Sequence, residues 1–126
     1  MPVRLSIIAV AGLAVALLSG CGGPQMAPVK GRVMFNGHPV KEAGVTFSPV
    51  AAEGQKEPGK PGTGFTDENG YFELSTFKNY DGAIVGSHSV LVSLDDTNPA
   101  KCKRMKQVTL EVKPGSNELI IEMDSK

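Results

Sequence analysis

Thr66-Asp67-Glu68-Asn69-Gly70-Tyr71-Phe72-Glu73-Leu74 is the stretch on which the reading of this chain turns. Its first half is turn chemistry. Asp closes a turn through its own carboxylate, Asn tolerates a positive φ, and Gly adopts one freely. Its second half alternates: Phe72 and Leu74 share one side of an extended chain, with Tyr71, Glu73 and Ser75 on the other. That period of two marks a strand with one face on a core. A tight hairpin is therefore expected here, pairing Gly64–Thr66 with Tyr71–Leu74.

The same period extends outward in both directions. Val33 and Phe35 share a face, as do Val45 and Phe47, and Val90 and Val92. Val108, Leu110 and Val112 alternate with polar residues, and Leu119, Ile121 and Met123 form a last set. Phe72 and Leu74 with Val33, Phe35, Val45, Phe47, Val90, Val92, Leu110, Leu119 and Ile121 are the expected core. Asn36-Gly37 and Lys113-Pro114-Gly115-Ser116-Asn117 are further turns, the second expected to join the last two strands as a hairpin. Glycine and proline interrupt every long stretch after residue 21, leaving no helical pattern. Pro49 to Gly62 contains three prolines and three glycines without periodicity, and is expected to be a loop outside the folded body.

The first twenty residues differ in kind. Arg4 precedes fourteen residues, Leu5 to Leu18, in which Ser6 is the only polar side chain. A spanning helix needs about 20 apolar residues, so this run is short for one and fits a secretory signal. Leu18-Ser19-Gly20-Cys21 closes it. These four residues resemble the bacterial lipobox, which implies a lipid thioether on Cys21, cleavage just before it, and no cofactor other than that covalent lipid. The expected layout is a signal over 1–20, a lipidated cysteine and flexible tether over 21–28, and a domain over 29–126. Gly22 rather than Asp after the cysteine implies, by the same resemblance, onward sorting to the outer membrane of a double-membrane bacterium.

The domain carries a second resemblance. Val29-Lys30-Gly31-Arg32-Val33, Asn36-Gly37-His38-Pro39-Val40, Ala43-Gly44-Val45-Thr46-Phe47, Thr66 to Phe72 and Gly86-Ser87-His88-Ser89-Val90 follow one another in the order V-x-G-x-V, N-G-x-P, A-x-V, T-D-x-x-G-x-F and a final G-led strand. This is similar to the carboxypeptidase regulatory-like domain, a transthyretin-like fold, over about Val29 to Met123; His88 stands where the family has an aromatic. The resemblance implies an all-β, antiparallel β-sandwich of about seven strands with a binding or structural role, and carries no catalytic residue onto this chain.

The chemistry-bearing residues agree with a non-enzymatic role. The two histidines, His38 and His88, stand apart from any nucleophile. Asp67-Glu68-Asn69-Gly70 lacks the spacing of a calcium loop, so no metal site is expected. With thirteen basic and thirteen acidic residues the chain has no footprint for nucleic acid. Lys101, Lys103, Arg104 and Lys106 are the one basic cluster, a candidate surface for an anionic polymer or headgroup beside the alternative of a solvated edge. Cys102 lies among them, either a partly buried or inert thiol or the source of a dimer disulfide. The partners expected are the membrane, through the lipid, and an envelope protein or glycan. The leading expectation is a structural or protein-interaction module. Its alternative is a module that binds a small molecule, glycan or anionic polymer through loop 49–62 or segment 101–106.

Overall fold

The computed structural model describes residues 24–51 and 58–125. The signal segment, the lipobox residues Leu18, Ser19 and Gly20, and Cys21 lie outside the described residues, as do positions 52–57 of the long loop. The described chain is all β. Its strands are β1 (Met26–Ala27), β2 (Val29–Phe35), β3 (His38–Pro39), β4 (Gly44–Pro49), β5 (Gly62–Phe65), β6 (Tyr71–Glu73), β7 (Ala83–Ile84), β8 (Gly86–Ser93), β9 (Met105–Val112) and β10 (Asn117–Glu122). Three of these, β1, β3 and β7, are two-residue pieces; the other seven are the strands expected from the alternation.

Two four-stranded sheets form the layers. In one, β2 is flanked by β10 on one side and by β3 and β6 on the other; the second runs β5-β4-β8-β9. β1 and β7 make a small third ladder. Inward-facing Val29, Val33, Phe72, Leu74 and Ile121 of the first layer meet Val45, Phe47, Val90, Val92 and Val112 of the second, all buried. Phe47 lies at the centre, its ring 6.5 Å from Phe72 across the layers and 5.7 Å from His88. Of the expected core, Phe35, Leu110 and Leu119 are only half-buried and pack on its rim.

The strands are where the alternation puts them, but two partners differ from the expected ones. The chain from β5 to β6 does not close into a continuous hairpin, because β5 pairs with β4 and β6 with β2, in opposite layers. Likewise β9 and β10 do not pair: β9 runs against β8, and β10 lies parallel to β2 from Asn117↔Val29 to Glu122↔Met34. Asn117 makes that corner possible. Its amide accepts from the Lys113 N–H at 2.9 Å and donates to the Lys113 and Pro28 carbonyls at 2.8 and 3.2 Å. The turn is thus pinned to the entry of β2, and a short connection becomes a crossing between layers. Asn36-Gly37 does close a two-residue hairpin, with both φ angles positive (50° and 80°) and Phe35 opposite His38.

The expected tether is shorter than its composition suggests. Met26 and Ala27 pair with Ile84 and Ala83, and Ala27 is 1% exposed, so the folded body begins at β1. The long loop is also trimmed at both ends: Pro49 is the buried last residue of β4 and Gly62 the buried first residue of β5. Val50, Ala51 and residues 58–61 between them are exposed.

Candidate functional site

The turn that opened the sequence reading builds the site. Asp67 Oδ1 accepts from the N–H groups of Asn69 (2.8 Å) and Tyr71 (3.0 Å), and the Asp67 N–H donates to the Tyr71 carbonyl at 2.9 Å. Eight residues further apart, Thr63 and Ser75 exchange two backbone bonds of 2.9 Å. Phe65 and Glu73 would be the pair between these two ends, yet among the described residues no backbone bond joins them. The two strands pair with β4 and β2 in different layers, yet they stay close here: a Cβ on Gly64 would stand 2.6 Å from the Glu73 carbonyl oxygen. A cleft of about 610 Å³ lies over this stretch, lined by Phe65, Asp67, Tyr71, Glu73, Asn79 and Tyr80 among others. A second, of about 470 Å³, adjoins it over β2 and β10, where Arg32, Tyr71 and Ile120 line it. Lys30, Gly31 and Tyr71 belong to both, so the two form one groove with Tyr71 between them.

The groove is amphipathic. Phe65, Tyr71, Tyr80 and Ile120 are 77%, 52%, 66% and 73% exposed, although each could have been a core residue. On the outer face of the first sheet Ile120, Arg32 and Tyr71 stand side by side across three strands, with the row Glu118, Lys30 and Glu73 next to it. The Arg32 guanidinium sits 4.6 Å from the centre of the Tyr71 ring, and its Nε donates to the Asn69 carbonyl at 2.9 Å. That cation–π contact favours this position of the ring.

Asp81 positions the wall that carries Asn79 and Tyr80. Its carboxylate accepts from the N–H groups of Thr76 (2.7 Å), Phe77 (3.0 Å) and Lys78 (3.0 Å), while the Tyr80 N–H donates to Ser75 Oγ at 2.8 Å. Partial desolvation pushes the Asp81 pKa up. Together, the bonds from Thr76, Lys78, Phe77 and its own N–H outweigh this and hold it below the ordinary 3.8. A depressed carboxylate stabilises the fold above its ordinary pKa and stops doing so as the pH falls through the lowered value. Asp81→Asn is therefore expected to cost about 1–3 kcal/mol at pH 7, since an amide cannot accept all three bonds. The gap to the wild type should narrow below about pH 4. Melting curves from pH 7 to pH 3 check this; a gap that stays constant with pH would refute the role.

The four residues of the basic cluster are engaged differently. Lys101 and Lys103 are exposed on either side of Cys102, which is 0% exposed and lies in a bridge to Ser125. Burial there argues against the dimer disulfide and for the inert thiol. Arg104 is spent on the Asp95 carbonyl (3.1 Å) and the Asp96 carboxylate (3.5 Å). Lys106 shares the inward side of β9 with Val108, Leu110 and Val112. Its ammonium reaches across the layers to the Glu122 carbonyl and the Asp124 carboxylate (3.2 Å). Lys106 is therefore a clamp within the fold, while the more exposed Arg104 is paired with Asp95 and Asp96 of its own loop.

Neither histidine reaches the groove. His38 is exposed in β3, and His88 is wholly buried, with Nε2 2.6 Å from the Ile84 carbonyl and Nδ1 without a partner. Among the described residues no group of three His, Cys, Asp or Glu side chains is placed to hold a metal ion, and no helix is long and apolar enough to cross a membrane. The alternation pointed to Tyr71 as an outward residue; Phe65, Tyr80 and Ile120 carried no sequence signal of a shared site, because they lie far apart in the chain.

No protein-family model matches the chain, and no curated protein is similar to it in sequence. Among solved structures, the chain is similar in fold to a DUF3823 family protein from Parabacteroides merdae, with a TM-score of 0.55 and 16% identity over 82% of this chain. The match spans 48% of that protein, so the chain corresponds to about half of its length. At that identity the likeness is one of fold, and it agrees with the β-sandwich described above.

Proposed function

We propose that this chain is an exported lipoprotein, anchored through lipid on Cys21, whose sandwich is a non-enzymatic interaction module of the carboxypeptidase regulatory-like kind at the envelope membrane. The observation that carries the interaction role is the groove centred on Tyr71: exposed aromatic rings over a few polar groups, the make-up of a recognition surface. The groups that line it are suited to holding a partner, and the histidines are elsewhere. The anchor rests on Leu18-Ser19-Gly20-Cys21. The short link supports it: four residues separate Cys21 from Met26 of β1, a reach of at most roughly 18 Å. An acylated Cys21 would hold the sandwich close to the lipid surface, and more than one acyl chain would make that hold stable.

Cys21→Ser is expected to move the protein from the membrane fraction to the soluble one, or to leave an unprocessed precursor. Mass spectrometry of the wild-type membrane fraction should find an N-terminal peptide that begins at an acylated Cys21. A mature chain that starts elsewhere, with an unmodified thiol at position 21, would overturn the anchor.

A further inference from the structure

We infer that the groove takes a neutral glycan chain, with Tyr71 and Tyr80 as the rings against which its sugars stack; this rests on the reading of the domain as an interaction module. The first argument is the cost of the surface. Burying a large apolar side chain is favourable, so several left exposed around one groove mark a surface meant to be covered. The second is Tyr80. Its φ of 60° lies in the left-handed region, unfavourable for a bulky residue, and its 66% exposed ring contributes little to the core. Strain retained at an exposed ring points to a use for that ring.

The chemistry of the walls then selects the occupant. Lys30 and Arg32 face Asp67, Glu73 and Glu118, so neither sign of charge dominates, and a polyanion or polycation gains little. A sugar hydroxyl both donates and accepts, and suits ammonium, carboxylate and amide alike. The C–H face of a pyranose is an apolar surface that fits a tyrosine ring. An extended peptide would need a run of unpaired backbone. Along the floor of the groove β2 is paired on both sides, and beside it Thr63–Ser75 and Asp67–Tyr71 are bonded to each other. The length of the groove selects a chain over a single sugar. It runs on both sides of Tyr71, and Ile120 alone lies about 10 Å away, two strand spacings.

The test uses full-length protein in detergent and titration calorimetry with hexasaccharides of β-1,4-glucan, α-1,4-glucan, β-1,4-mannan and β-1,4-xylan, with hexagalacturonate and a decapeptide as comparisons. At least one neutral hexasaccharide should bind, and its disaccharide at least about tenfold more weakly. Tyr71→Ala and Tyr80→Gly should each weaken binding about tenfold or more. Tyr80→Gly should leave the melting temperature unchanged or raised, because glycine relieves the positive φ. Phe77→Ala, at an exposed ring outside the groove, should bind like the wild type. The inference is overturned if no neutral hexasaccharide binds, if only hexagalacturonate or the peptide does, or if binding survives both tyrosine substitutions. Release from membranes by Cys21→Ser is read separately. Membrane anchoring with a silent neutral panel sinks the glycan and leaves the anchored module standing.

Discussion

Valine in place of Gly31 is expected to cost about 3 kcal/mol or more, at the upper end of overpacking in a filled core, and to lower the melting temperature by roughly 12–24 °C. A Cβ at position 31 would run into the ring of Phe72, with Cε1 at 2.6 Å, and would stand 2.9 Å from the Leu119 carbonyl oxygen. The ring is buried and the carbonyl belongs to the adjacent strand β10, so neither can yield cheaply. Gly31 and Phe72 are directly opposite in the β2–β6 ladder. The absent side chain of the V-x-G-x-V segment is thus the space that the Phe of the T-D-x-x-G-x-F segment occupies. Phe72→Ala alone should cost about 3–5 kcal/mol by leaving a cavity. The double variant Gly31→Val with Phe72→Ala should be more stable than the sum of the two losses predicts, by 1 kcal/mol or more. Simple additivity in denaturant melts, or a loss below about 1 kcal/mol for Gly31→Val, would show that the two do not share one space.

Gly70→Ala carries the second large effect, and Gly115→Ala is its control. Both glycines have left-handed backbones, with φ of 81° and 90°. Alanine there costs about 1–2 kcal/mol from the backbone alone. They differ in surroundings. A Cβ at Gly70 would meet the Val33 carbonyl oxygen at 2.7 Å, Pro39 Cβ at 3.0 Å and the Val40 nitrogen at 3.2 Å, whereas nothing lies within 4 Å at Gly115. The Gly70 carbonyl accepts from the Val33 N–H at 2.8 Å, so the turn that orients Tyr71 is seated on β2. Gly70→Ala should therefore lose at least about 2 kcal/mol more than Gly115→Ala. Equal losses at the two positions would mean that the turn is free of β2 and that the groove wall is not held by it.

Much of this protein was legible residue by residue. Alternation at Val33, Val45, Phe47, Phe72, Leu74, Val90, Val92 and Ile121 named buried positions, and Asp67 to Gly70 and Lys113 to Asn117 named the places where the chain turns. These follow from local physics: a strand shows alternate sides, and a turn needs residues that tolerate its dihedrals. Pairing is another matter. Period two says which face of β6 is buried, not whether β5 or β2 lies beside it; it reads the same whether β10 is antiparallel to β9 or parallel to β2. Short turns favoured hairpins, and the sandwich used both as corners instead, because core side chains of the two layers must face each other. Ala27, placed in the tether by its neighbours' composition, is buried for the same reason: its cover is supplied by residues remote in sequence.

The groove belongs wholly to that second level. Its walls come from β2, β5, β6, the segment Asn79–Tyr80 and β10, brought together when β4 and β2 pull the two arms of one turn into different sheets. Local sequence sufficed for the strands, their faces and the turn at Asp67. That this turn would stand beside exposed side chains of β10 and of Asn79–Tyr80 followed from tertiary packing, since no single segment encodes a surface assembled from five.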